Sequence, residues 1–74
     1  MSELVREATR DGRRVALLRC YDGADETIVD AEVHPVRGGD AVRRGPYRFS
    51  TATEAFRFVQ EALLALQYLG CNVS

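Results

Sequence analysis

His34 is the one side chain here whose ordinary pKa lies near neutrality, so acid–base chemistry would begin there. Asp30 and Glu32 precede it at alternate positions. On a strand all three share a face, and either carboxylate could orient the imidazole as a general base. That spacing recurs on ordinary exposed strands, so a surface histidine at a strand end is the simpler reading. Two thiols are the other candidate nucleophiles. Cys20 lies in an apolar run and reads as a small buried hydrophobe. Cys71 follows a predicted helix C-terminus, whose partial negative charge opposes thiolate formation. Ser50, Thr51 and Thr53 have no general base near them in sequence. One histidine and two distant cysteines match no zinc spacing. Asp22, Asp25 and Asp40 do not make an EF-hand, and Arg37-Gly38-Gly39-Asp40 lacks the longer glycine pattern and lysine of a phosphate loop. No catalytic set, metal site or cofactor is implied, and a non-enzymatic protein is expected.

Arginine supplies every basic residue, with no lysine, and the formal net charge is −1. Arginine favours bidentate contact with phosphate or carboxylate. Together with abundant alanine, valine, glycine and leucine, it also reflects a GC-rich, bacterial coding bias. Arg19 and Tyr21, with Arg37, Arg43 and Arg44 on a predicted loop, could track a phosphate backbone and stack a base. Glu26, Asp30 and Glu32 are expected on the same sheet face, where cross-strand pairing would neutralise the sheet arginines.

These side chains need elements to hold them. Asp11-Gly12 between two extended runs predicts a hairpin, because a type I′ turn takes positive φ at both central residues. The run from Arg13 to Tyr21 suits a central strand, Asp22–Asp25 the next turn, and 26–34 a third strand closed by Pro35. Pairing Arg10 with Arg13 and Tyr21 with Glu26 gathers Val5, Ala16, Leu18, Cys20, Thr27, Val29, Ala31 and Val33 on one face. The other face takes Leu4, Arg6, Arg10, Arg13, Val15, Leu17, Arg19, Tyr21, Ile28 and His34, with the acidic residues of 26–32. Residues 35–46 are expected to be a loop, and Tyr47–Phe49 a short fourth strand. A helical start over residues 2–9 is the alternative for the N-terminus.

Thr51 and Glu54 form a capping-box pattern, and Gly70 is placed as a C-terminal cap. Between them Ala52, Ala55, Phe56, Val59, Ala62, Leu63, Leu66 and Leu69 fall on one helical face. Leu64 and Tyr68 fall on the other, beside Arg57 and Glu61, with Phe58 and Ala65 on the flank. The predicted fold is α+β, an antiparallel meander of three strands and a short fourth with one C-terminal helix across it, in a single domain over 1–74. A meander followed by one long helix resembles, in topology, small single-stranded DNA-binding folds that dimerise through the helix.

A chain of 74 residues usually leans on disulfides, a metal or association. Without the first two, association is expected, and Arg57, Phe58, Glu61, Leu64, Ala65 and Tyr68 form the candidate partner surface. The expected role is an assembly or adaptor module, a homodimer or small subunit. A weak single-stranded nucleic-acid-binding protein using Arg37, Arg43, Arg44, Arg19 and Tyr21 is the alternative. No apolar run reaches signal-peptide or membrane-span length, so a cytoplasmic location is expected and no membrane contact.

Overall fold

The computed structural model describes residues 3–35 and 38–74. An antiparallel five-stranded sheet carries one helix on one face, the predicted α+β arrangement. The strands are β1 (Leu4–Arg10), β2 (Arg13–Asp22), β3 (Thr27–Val33), β4 (Val42–Phe49) and β5 (Asn72–Val73), and helix α1 spans Ala52–Tyr68. Their spatial order is β4-β3-β2-β1-β5, so the tail after the helix returns to the β1 edge.

The first hairpin closes as expected, with Arg10 opposite Arg13, Asp11 at φ 53 and Gly12 at φ 77. Further along, the ladder slips by one residue. Thr9 faces Arg14 but Ala8 faces Ala16, which leaves Val15 as the extra residue of a bulge. A slip of one reverses the faces expected for β1. Leu4 and Arg6 turn to the helix side, opposite Cys20 and Leu18, while Val5 joins Arg19 on the open side and is 47% exposed.

The second turn also differs from expectation. Tyr21 faces Ile28 and Asp22 faces Thr27, two residues from the Tyr21–Glu26 pairing. The Gly23 amide donates to the Glu26 carbonyl at 2.7 Å and closes a turn shifted one residue along. An even slip leaves each side chain on its predicted face, so the core pattern of β2 and β3 survives. His34 consequently lies beside Val15, donating its amide to the Val15 carbonyl at 2.8 Å, and not opposite Arg13, where the Tyr21–Glu26 pairing would put it.

The predicted 35–46 loop is corrected over its second half. β4 begins at Val42 and runs through Gly45-Pro46 to Phe49. Val29 faces Tyr47 but Ala31 faces Arg44, so two residues of β4 oppose one of β3. Proline and glycine are tolerated there because β4 is an edge strand and the pair forms a bulge. Gly45 has φ 99, and a Cβ on it would sit 3.0 Å from both the Val29 carbonyl oxygen and the Tyr47 nitrogen.

Helix α1 has the predicted ends. The Glu54 amide donates to Thr51 Oγ1 at 3.2 Å, and the Glu54 carboxylate accepts from the Thr51 and Ser50 hydroxyls at 3.1 and 3.0 Å. At the other end the Gly70 amide bonds the Gln67 carbonyl and the Cys71 amide bonds the Leu66 carbonyl, a Schellman closure with Gly70 at φ 94. The closure buries Cys71 and aims the chain back at the sheet, where Ala8 pairs with Val73 and Thr9 with Asn72. This fifth strand was not predicted.

Leu18, Cys20, Val29, Ala55, Val59 and Leu63 form the main core cluster, and Ala8, Ala16 and Cys71 a second one under β5. Most of these side chains are small, and no aromatic ring is among them. The inner helical stripe is narrower than the sequence pattern: Ala55, Val59 and Leu63 are buried, while Phe56 is 50% and Leu69 66% exposed.

Candidate functional site

Two surfaces hold the residues singled out by sequence. The first is the outer side of α1. Arg57, Glu61, Leu64, Ala65 and Tyr68 are all exposed, Tyr68 at 93% and Leu64 at 59%. The helical repeat explains this, because positions 57, 61, 64 and 68 lie opposite the Ala55–Val59–Leu63 row that faces the sheet. Arg57 and Glu61 make no salt bridge among the described residues. Phe58 is separate from this group. It is half-buried on the β4 flank, with ring centroids 5.0 Å from Tyr47 and 5.3 Å from Phe49. Its role there is to seal the core's edge with tilted aromatic contacts.

The second surface is the sheet face away from the helix. Arg19, Tyr21 and Arg43 occupy it, by register with Asp30, Ile28 and Glu32 respectively. Arg44, next in the chain, pairs with Ala31 and belongs by register to the helix side. Arg37 lies outside the described residues. The predicted cross-strand neutralisation takes a different form. Arg48 binds Glu26 at 2.6 Å, but Asp30 accepts from the Tyr21 hydroxyl at 2.9 Å, and Glu32 lies 3.0 Å from His34 Nε2. Tyr21's phenol is held above its ordinary pKa, first by that hydrogen bond to Asp30. Among the described residues, Arg19 and Arg43 have no carboxylate within salt-bridge distance. They flank a shallow hollow of about 150 Å³ beside the Gly45–Pro46 bulge.

His34 and Glu32 do come together, the pair a base reading would need. Yet the 3.0 Å approach lacks hydrogen-bond geometry, and the buried Nε2 has no other partner among the described residues. Cys20 is buried, and burial followed by the charge of Asp22 pushes its thiol pKa up, away from nucleophilic reactivity. Both cysteines are free, and no cluster of three or more metal-ligating side chains occurs among the described residues. No described helix is long and apolar enough to cross a membrane.

Four apolar residues expected on buried faces, Val5, Val33, Phe56 and Leu69, are exposed. Phe56 stands at the margin of the inner stripe, where the helical wheel cannot separate covered from uncovered. With Glu3, Leu4, Val59 and Gln60 it lines a groove of about 410 Å³ between α1 and the start of β1. Val5 is exposed only because of the Val15 bulge, which no composition signal marks.

No family model matches the chain, and no curated protein or solved structure matches it.

Proposed function

We propose that this chain is a small non-enzymatic assembly module that acts as a homodimer, in the reducing cytoplasm of a bacterium. The observation that carries this is surface out of proportion to core. A monomer of 8.2 kDa is expected to expose about 4,500 Å². The chain exposes 5361 Å², and its radius of gyration of 12.5 Å exceeds the roughly 11 Å expected for its length. The difference, about 800 Å², goes with an elongated shape of 38 × 23 × 17 Å and is of the order of one partner's share of a standard interface. Leu64 and Tyr68 are the exposed side chains best suited to fill such an interface, since tyrosine gives large area at little entropic cost.

Light scattering from about 10 µM to about 0.5 mM should give twice the 8.2 kDa chain mass at the upper end. Leu64→Glu with Tyr68→Ser should raise the dissociation constant by about a hundredfold, since each lost apolar contact is present twice. A chain of single mass throughout that range would end the self-association reading.

Arg19 and Arg43, left without acidic partners on the open face, favour a second reading: weak binding of single-stranded nucleic acid through that face. Binding of this kind should appear as retention on single-stranded DNA at low salt that falls steeply as salt rises. No mobility shift at low salt with ~0.1 mM protein would rule it out.

A further inference from the structure

The self-association proposed above needs a seat for Leu64 and Tyr68, and one corner of the sheet's helix side is uncovered. Val73, Ala8, Ala16, Val33 and Val42 stand in one row across the five strands on that side. Ala8 and Ala16 are buried, but Val33 and Val42 are 39% and 43% exposed. The path of α1 explains the difference. Its first turns are tied to β4, where Phe58 contacts Tyr47 and Phe49. Its end lies over Ala8 and Ala16, where Leu66 packs with Cys71. A helix crossing the sheet in this direction leaves the Val33 end of β3 and the Val42 end of β4 without a lid. Burial along β3 falls accordingly, from Thr27 and Val29, both buried, through half-buried Ala31 to Val33. The helix flank above this corner continues from Phe58 through Ala62 and Ala65 to Leu69, at helical spacing. Ala65 and Leu69 are exposed there.

We infer that this corner seats the α1 of a second copy, lying beside the first helix and pointing the same way, with a two-fold axis between them and along them. This rests on the assembly reading and gives it a location. Each helix keeps its Ala55–Val59–Leu63 row on its own sheet and sets Leu64 and Tyr68 on Val33 and Val42 of the other copy. The two flanks meet through Ala62, Ala65 and Leu69, and the alanines allow close approach. Charge fits as well. Arg44 shares the helix side with Val42 by register, and neither Arg44 nor Glu61 has a salt-bridge partner among the described residues. Leu66 marks the level of the valine row, and Glu61 lies about 7.5 Å back along the helix. Arg44 lies about 6.8 Å from Val42 along β4, toward the same end of the molecule. Helices that point the same way therefore bring Glu61 of each copy to Arg44 of the other. The surface in excess of expectation, about 800 Å², is what one partner of a stable dimer covers.

The test is a charge exchange, read as the dimer dissociation constant. Arg44→Glu and Glu61→Arg should each weaken the dimer about tenfold, since each sets like charges together twice. Both residues are exposed, so both variants should fold, as judged by cooperative urea unfolding. The double variant should return to within about threefold of the unmodified protein, which independent sites would not do. Val42→Glu should weaken dimerisation about a hundredfold, because it occurs twice in the apolar seat. If that variant does not fold, the charge exchange decides. Phe56→Asp, on the opposite flank, should leave the dissociation constant within about twofold. Effects that multiply in the double variant would overturn this seat, and so would a Val42→Glu dimer of unchanged strength; self-association stands in either case. A wild-type chain that stays monomeric overturns both.

Discussion

Gly45→Ala is expected to destabilise the fold by about 2–4 kcal/mol, read as a fall in the urea midpoint at unchanged slope. At φ 99 an alanine is strained before any contact is counted. Its Cβ would also press on two backbone atoms, the Val29 carbonyl oxygen and the Tyr47 nitrogen, each at 3.0 Å. Neither atom can rotate away as the end of a side chain could. Val29 is also fully buried at the centre of the core, so its strand cannot shift without disturbing the packing beneath the helix. Domains of this size hold on the order of 4–11 kcal/mol in all, so the variant should be partly unfolded near body temperature. A loss below about 0.5 kcal/mol would mean that β4 does not pass Val29 this closely.

Leu63→Ala should cost about 2–5 kcal/mol, while Leu64→Ala, one position along, should stay within about 0.5 kcal/mol when measured at a dilution that keeps the chain monomeric. The two leucines have the same chemistry and neighbouring places in one helix. They differ in direction: Leu63 is 4% exposed, in the cluster with Leu18, Val29 and Val59, and Leu64 points outward. Urea titration of both variants measures how α1 is rotated on the sheet. Equal losses would show that rotation to be wrong. At high concentration Leu64→Ala should also lower apparent stability, because a partner that binds only the folded chain stabilises it by mass action.

What the sequence made legible was local chemistry with a single solution. Asp11-Gly12 has few conformations open to it besides the tight turn found. Thr51, Glu54 and Gly70 mark helix ends by hydrogen bonds that only those positions can make. The errors arose where one residue more or less changes the geometry without changing the composition. Val15 carries nothing to distinguish a bulged valine from a paired one, yet it decides whether Leu4 or Val5 enters the core. The shifted turn at Gly23–Glu26 went undetected for the opposite reason, since a slip of two preserves every face. Gly45-Pro46 reads as loop because both residues weaken a central strand, and sequence does not say that β4 is an edge. β5 has two residues, too few for any periodicity. For the candidate surface, sequence separated Leu64 and Tyr68 from the inner stripe, because helical spacing alone puts them opposite it.

The pairing of Arg6 with Ser74 has a consequence for the order in which this molecule comes into being. The two residues are 68 positions apart. At about 5–20 residues per second, a ribosome that has made the first hairpin, through Asp22, needs about 3–10 s more to supply the strand that lies beside it. For that interval β1 lacks the partner that later covers Glu7, Ala8 and Thr9. Until residues 72–74 arrive, the outer row of β1 beside Glu7, Ala8 and Thr9 has no strand to pair with, so the first hairpin must hold through its pairing with β2 alone.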